Sequence, residues 1–445
     1  MIVLKFGGTS IGSAESIEKV VEIIASTSGK KVVVFSAFSG VTNLLVHINT
    51  QYEIRDTATL SKSLNLLEVK CRDIISNLFK LHSYKQIALN FIDFKIKEIA
   101  SYAHEGYSEE NTKLIVAQGE IISTHIIQFY LQEKKISSTL ISALDFMEID
   151  HNEEPVPSKI ATFLSPQIYS ESSDDLFITQ GFICKKMNQV DNLKRGGSDY
   201  TASLIGAALD ASEIQIWTDI DGMHNNDPRF VENTFSIEEI SFDEAAELAY
   251  FGAKILHPQS LIPAKEKNIP VRLKNTFNAS QKGTVIKNDA LTNGVTSIAA
   301  KDGITAIKIK SFRMLLAYGF LKKVFEVFET YKTPIDMITT SEVAVSLTID
   351  DDSNLQKITS ELTELGSVEV DTDLSIVCVA GDFSQNKEGI SAEVFNSLKD
   401  IPIRMISYGG SDYNTSLLVK TSDKKRALNA LNRGLFPKNV TLEIV

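Results

Sequence analysis

Ile2-Val3-Leu4-Lys5-Phe6-Gly7-Gly8-Thr9-Ser10 opens the chain as a short apolar run that breaks on paired glycines. Ile17, Val20, Val21 and Ile24 then recur at helical spacing. Val32-Val33-Val34-Phe35 follows, a β-branched run suited to a buried parallel strand. Strand, helix, strand in this order predicts an α/β fold with a mainly parallel sheet. Open sheets of this class bind ligands beyond the carboxyl ends of their strands, so the Gly7-Gly8 turn is where a site is expected.

Outward from this unit, residues 53–105 contain long helical patterns with almost no Gly or Pro and predict an inserted helical hairpin. Strand-like runs return at 138–141, 176–179 and 213–217. The pattern changes near residue 285. Beyond it, strand, helix, two strands, helix and strand follow each other twice, and Pro334-Ile335-Asp336-Met337-Ile338-Thr339 recurs 68 residues later as Pro402-Ile403-Arg404-Met405-Ile406-Ser407. The expected organisation is a catalytic-sized domain over 1–285, a linker over 286–300, and α+β modules over 301–371 and 372–445. Each module is too small to bury much alone, so the two should pair, with exchange of a strand between them left open.

The 445 residues, 43% hydrophobic and 23% charged, exclude a disordered or collagenous chain. Lys and Arg number 45 against 57 Asp and Glu, a net charge of −12. Nucleic-acid binding rests on cationic contact with phosphate, so no nucleic-acid partner is expected, and an anionic ligand would need a local concentration of positive charge. No run approaches the ~18–20 apolar residues of a membrane span, and the N-terminus turns polar too soon for a signal peptide. Cys71, Cys184 and Cys378 lie far apart and suggest neither a disulfide framework nor a metal site. A reducing cytoplasm is the expected compartment.

Several motifs carry charge to turns. Lys5-Phe6-Gly7-Gly8 places a point charge and two permissive backbone positions before a helix, as an anion site requires, although the same letters also make a plain strand–helix turn. Lys194-Arg195-Gly196-Gly197-Ser198-Asp199 precedes a helical run; Arg195 is suited to gripping a carboxylate, while Asp199 also reads as a capping acid. Gly409-Gly410-Ser411-Asp412 repeats four of these letters before a strand and without an arginine, and reads as a turn. Trp217-Thr218-Asp219 ends an apolar strand. Ser241-Phe242-Asp243-Glu244 fits a capping box and opens a helix that ends near Phe251-Gly252-Ala253-Lys254.

Taken together, Lys5-Phe6-Gly7-Gly8-Thr9-Ser10, Gln118-Gly119-Glu120, Arg195-Gly196-Gly197-Ser198-Asp199, Trp217-Thr218-Asp219, Asp227-Pro228-Arg229 and Phe251-Gly252-Ala253-Lys254 resemble the aspartokinases in type and order. The resemblance spans essentially the whole chain. It implies an amino-acid kinase αβα sandwich with two C-terminal ACT-type modules. The implied reaction is transfer of the ATP γ-phosphoryl group to the β-carboxylate of L-aspartate, the step that opens lysine, threonine and methionine biosynthesis. It further implies that Lys5 and Lys254 face the ATP phosphates, with Asp199 orienting Lys5. Gly7, Gly8 and Gly197 offer backbone donors, and Thr218, Asp219 and Arg229 flank the nucleotide. Arg195 clamps an aspartate carboxylate, Glu120 and Thr42 hold its polar end, and Ser36, Gly196 and Ser198 line the substrate site. Mg²⁺ accompanies ATP and takes no side-chain ligand.

The chain departs from the family pattern at Gln118, where many members have histidine, and at His224, where many have tyrosine. Met314, Gly319, Phe320 and Leu321, with Asp336, Thr340, Ser341 and Glu342, resemble the effector site of lysine-sensitive members. That implies L-lysine as an allosteric inhibitor, with threonine the next effector to try. Leu316, Ala317 and Pro334 replace polar residues common there. On their own, Met314, Phe320 and Leu321 also read as core. The family further implies a homodimer or higher oligomer assembled through the modules. With Val445 as the last residue and no homoserine dehydrogenase of the kind bifunctional relatives append, a monofunctional enzyme is expected. A kinase of another carboxylate, such as glutamate, and a catalytically silent amino-acid sensor are the alternatives.

Overall fold

β1 (Ile2–Phe6) and β2 (Lys31–Phe35) lie parallel and adjacent in the computed structural model, joined by α1 (Ala14–Ser26). The structure describes residues 1–104, 107–170, 174–193, 196–251, 256–290, 294–314, 318–383 and 388–437, without the side chains of 103 and 104. Two units account for the chain, one of Met1–Met223 with Leu256–Ala290, the other of His224–Ile255 with Leu291–Val445.

After β2 the first unit continues through α2 (Val41–Glu53), α3 (Thr57–Leu78), α4 (His82–His104) and α5 (Glu109–Glu133). β3 (Thr139–Leu140), α6 (Ala143–Phe146), β4 (Glu148–Ile149), α7 (Pro157–Ile168) and β5 (Leu176–Gln180) follow. Then come β6 (Ile183–Lys186), β7 (Gln189–Asn192), α8 (Gly197–Ala208) and β8 (Glu213–Thr218). β9 (Glu239–Ile240) and α9 (Phe242–Tyr250) belong to the second unit, after which α10 (Pro258–Glu266), β10 (Val271–Asn275) and β11 (Thr284–Ile286) complete the first.

The first unit's main sheet runs β3-β5-β2-β1-β8-β10-β11, parallel except for β11. Alternation along a strand decides what each face carries. Leu4, Phe6, Val33 and Phe35 enter one core with α1, α2, α3, α4 and α5. Val3 and Lys5 point to the other face. The helical insertion expected at 53–105 is the pair α3 and α4. α5 has the length and apolar composition to cross a membrane, yet 78% of its most apolar window is buried inside the protein. Cys71, Cys184 and Cys378 are buried free thiols, and burial pushes the first two up to about 12.

The second unit continues with β12 (Val295–Lys310), α11 (Phe320–Thr330), β13 (Ile338–Thr340), β14 (Ala344–Ile349) and α12 (Leu355–Thr363). β15 (Ser367–Gly381), α13 (Ile390–Ser397), β16 (Met405–Tyr408), β17 (Asn414–Lys420) and α14 (Lys424–Leu435) follow. One antiparallel sheet in the order β13-β14-β12-β15-β17-β16 carries two cores. Ile307 and Ile309 pack with α11 and α12, and Ile298 and Val377 with α13 and α14. Gly409-Gly410-Ser411-Asp412 lies between β16 and β17, as the turn reading requires.

The boundaries differ from those drawn in the sequence. Residues 295–300 are strand, not linker, because Ile298 and Ala299 are buried against β15. The boundary at 301 therefore falls inside β12, and the boundary at 371/372 inside β15. His224–Ile255, placed in the catalytic domain on sequence, packs with the second unit. Ile298 N donates to Asn225 O at 2.8 Å, Asn225 Nδ2 to Asn432 Oδ1 at 3.0 Å, and Thr296 Oγ1 to Glu244 Oε1 at 2.6 Å. Asn414 hydrogen-bonds Glu247. The expected capping box is present, with Ser241 and Glu244 satisfying each other's backbone N–H groups.

Candidate active site

Lys5 is set by alternation. Its neighbours Leu4 and Phe6 enter the core, so its side chain leaves the opposite face of β1, where α8 lies. Asp199 stands in the first turn of α8, and Lys5 Nζ meets its Oδ1 at 2.6 Å, with side chains 12% and 15% exposed. The lysine therefore has an oriented partner and a position beside the Gly7 turn: a Cβ on Gly7 would lie 3.5 Å from Nζ. Gly8 is a close-approach glycine. A Cβ there would lie 2.9 Å from the Ala37 carbonyl oxygen. Gly8→Ala should therefore push the two loops apart and lower kcat/KM at least ~10-fold with the fold retained, a change that steady-state kinetics beside circular dichroism would read.

α8 starts on Gly196 at φ +68° and Gly197 at φ +46°, a left-handed entry that glycine adopts without strain. That entry brings the helix N-terminus, with its exposed N–H groups and favourable dipole, to the same sheet edge as Gly7-Gly8. β8 pairs with β1 so that Phe6 faces Trp217, and Gly7 N donates to Trp217 O at 3.2 Å. Thr218 and Asp219 thus follow at that edge, with the Thr218 hydroxyl donating to Asp219 Oδ1 at 3.0 Å.

The loop after β2 supplies the opposite wall. Ala37 N donates to Glu120 Oε1 at 3.1 Å and Ser123 Oγ to Ser36 O at 2.7 Å, so α5 holds this loop. Glu120 is 3% exposed, and its Oε2 has no hydrogen-bond partner among the described residues. Burial pushes its carboxyl up to about 8, against the pull of the Ala37 N–H and the Lys5 charge. A cleft of about 430 Å³ results, lined among others by Gly8, Ser36, Thr42, Glu120, Gly197 and Ser198. All six were singled out in the sequence.

Sequence reading missed Thr9, Asn43 and Phe182, which share that lining. Thr9 follows the end of β1, a signal that was available, whereas Asn43 sits in the first turn of α2. Phe182 carried none. Arg195 and Lys254 lie outside the described residues. Arg229 belongs to the second unit, where Asp227 takes its guanidinium at 2.7 Å. Gln118 is buried and donates to Leu114 O at 3.3 Å along its own helix, and His224 Nδ1 lies 3.2 Å from the Thr234 hydroxyl.

The effector candidates all lie in the second unit. Gly319 caps α11 at φ +79°, Phe320 is core and Met314 packs on that core, whereas Leu321, Thr340, Ser341 and Glu342 are exposed. Asp336 lies two residues before β13. Its side chain is fully buried and already bound to Lys301 and Tyr250, which the alternation-breaking bulge in β12 and the C-terminal end of α9 bring to it.

The arrangement can hold an anion at Lys5, Gly7-Gly8 and the α8 N-terminus, and a cation at Glu120, a short distance across one cleft. No group of three or more His, Cys, Asp or Glu side chains among the described residues is arranged to hold a metal ion.

Comparison with known proteins identifies the family. The amino acid kinase family model matches residues 1–275, and an ACT domain model matches residues 377–435. Lysine-sensitive aspartokinase 3 of Escherichia coli is 32% identical, covering 98% of this chain and 99% of its own length. The crystal structure of E. coli aspartokinase III in complex with aspartate and ADP superposes at a TM-score of 0.85 with 32% identity, covering 98% of this chain and 100% of that one. The same enzyme in complex with lysine and aspartate gives 0.82 with 33% identity, covering 98% and 99%. The chain belongs to the amino acid kinase family, in its aspartokinase branch.

Proposed function

We propose that this aspartate kinase binds L-aspartate in the cleft between the 36–40 loop and α8, with the ATP phosphates beside Lys5, and that L-lysine restrains the reaction from the second unit. The observation that carries the first part is the Lys5–Asp199 pair set beside the Gly7-Gly8 turn, across from a buried carboxylate. A substrate that is itself a carboxylate, with an unperturbed pKa of about 3.9, is ionised at neutral pH, so its attack needs no general base. A β-carboxylate oxygen bonds the γ-phosphorus as the bridge from that phosphorus to the β-phosphate oxygen breaks. ADP leaves with the electron pair, and 4-phospho-L-aspartate is formed.

What this chain supplies is alignment and charge. Lys5, held by Asp199, neutralises negative charge that moves toward the leaving phosphate. Gly7, Gly8 and the Gly197 end of α8 offer N–H donors. Glu120 takes the substrate ammonium, releasing its own proton as it does so. Ser36, Thr42, Gly196 and Ser198 line the site. By resemblance Arg195 grips a substrate carboxylate, while Lys254, Arg229, Thr218 and Asp219 serve the nucleotide. Mg²⁺ on the ATP phosphates screens their charge when bound.

The feedback reading is supported by the lysine-sensitive relative, by the lysine complex of its crystal structure, and by the Met314 to Glu342 pattern. As the end strands of the ACT sheet, β13 and β16 present edges that support assembly of copies through it. One assay tests both activities: acyl phosphate trapped as the hydroxamate, with Mg-ATP, aspartate or glutamate, and L-lysine present or absent. Product with aspartate alone, falling on addition of lysine, is expected. Glutamate preferred over aspartate would sink the substrate assignment, and a rate indifferent to lysine would sink the feedback.

A further inference from the structure

The chain leaving α13 runs against α14. Gly434 of α14 comes so close that a Cβ there would collide with the Ser397 hydroxyl, and Arg426 donates to Asp400 O at 3.1 Å. These two segments line a groove of about 860 Å³ within the second unit. Lys425, Arg426, Asn429 and Arg433 recur at helical spacing on the lined face of α14, and Lys399 adds a cation from the other wall. Asp400 and Asp423 are the acids beside them, and Asp423 is taken by Arg426 at 2.7 Å. Lys399, Lys425 and Arg433 are exposed and have no carboxylate partner among the described residues. In a chain of net charge −12, this is the local concentration of positive charge that an anionic ligand needs. The start of α14 adds to it. Lys424, Lys425 and Arg426 fill the first turn, where the helix dipole favours anions, and the N-cap residue Asp423 makes no side-chain cap. Lys424 has a reason within the fold, since it binds Asp302 at 2.6 Å and lies over the Phe230 ring. Lys425 has none.

We propose that the groove lined by Lys399, Lys425, Arg426 and Arg433 binds a small polyanion carrying two or more phosphoryl groups, at a site separate from the cleft at Lys5. Arginine forks take phosphate oxygens in pairs, lysines add point charges, and the first turn of α14 supplies N–H donors. The span sets the size. Arg426 and Arg433 stand about 10 Å apart along the helix axis, further than one phosphate reaches. The groove volume lies within the range of roughly 300–1,000 Å³ that small-molecule sites occupy. Nothing in this site draws on the aspartate or lysine readings given above. The groove is nevertheless one side chain from the segment that carries Arg229, because Asn429 Nδ2 donates to Phe230 O at 3.0 Å.

Calorimetric titration of inorganic tripolyphosphate into the full chain tests this, with ADP and aspartate at saturation and no divalent cation, so that the cleft is occupied. Saturable binding that weakens as salt is added is expected. Lys425→Glu/Arg433→Glu should weaken it at least ~30-fold, since two charged hydrogen-bond donors are lost and reversed. Hydroxamate-trapped product formation in the absence of tripolyphosphate should be the same in variant and parent. Lys425→Glu alone relieves the crowded first turn and should raise the thermal midpoint while binding is lost. Lys425→Gln/Arg433→Gln, with an expected loss of at least ~10-fold, carries the titration should the double reversal not fold. No saturable binding by the parent overturns the site. Equal binding by parent and double variant puts the anion elsewhere and overturns it as well. Citrate bound as tightly as tripolyphosphate overturns the assignment to phosphate.

Discussion

Lys5→Met is expected to lower kcat at least ~10³-fold while the protein stays folded. Methionine keeps the length of the side chain and removes its charge. One neutral donor aimed at a developing anion accounts for ~10²–10³ in rate in other enzymes, and a charged one at a phosphoryl centre should exceed that. The variant also leaves Asp199, 15% exposed, without the ammonium 2.6 Å away, so a modest fall in thermal midpoint should accompany the kinetic loss. Hydroxamate-trapped product formation at saturating ATP and aspartate reads the rate. A variant within tenfold of the parent would remove Lys5 from the reaction.

Glu120 carries the second large effect. Glu120→Ala should raise the KM for aspartate ~100-fold, since truncating one partner of a buried charge pair costs ~2–5 kcal/mol. Burial pushes the carboxyl up to about 8, so it is largely protonated at neutral pH. Binding the substrate ammonium drives that proton off. Aspartate affinity should therefore weaken up to ~10-fold for each pH unit below about 8, with release of up to one proton on binding. Stability moves the opposite way. A folded pKa above the ordinary glutamate value of 4.5 means that the folded state holds more protons than the unfolded chain between 4.5 and about 8. Stability without substrate therefore falls as pH rises through that window. Glu120→Gln keeps the shape and the acceptor for Ala37 N, and should flatten both slopes. Calorimetry in buffers of differing ionisation enthalpy counts the proton; no net release, or a net uptake, would refute the assignment.

Local chemistry made much of this legible. The run from Ile2 to Phe35 announces its strand, turn, helix and strand because apolar spacing and paired glycines are short-range signals. Ser241 and Glu244 announce a helix start for the same reason, and the arginine missing before Gly409-Gly410 separates a turn from a site. Three features were invisible for physical reasons. The β6–β7 hairpin turns on Met187 and Asn188, both at positive φ, without the Asn-Gly signature that would mark it. The burial of Asp336 depends on Lys301 and Tyr250, residues 35 and 86 positions away whose charges and hydroxyls say nothing of each other in sequence. The packing of His224–Ile255 with the second unit depends on strands far along the chain, although the amino acid kinase family model runs straight through the segment.

That allegiance bears on inheritance. His224–Ile255 leaves the first unit and belongs to the second before the chain returns for α10 and β10. Phe242, Ala245 and Leu248 of α9 are buried there, and Glu244 and Glu247 hydrogen-bond residues of β12 and β17. A recombination joint near residue 290 would therefore marry one ancestor's α9 to another's sheet and mismatch every one of these contacts. The embedded segment and the ACT sheet have to descend together, although a whole β-strand pair separates them in the gene.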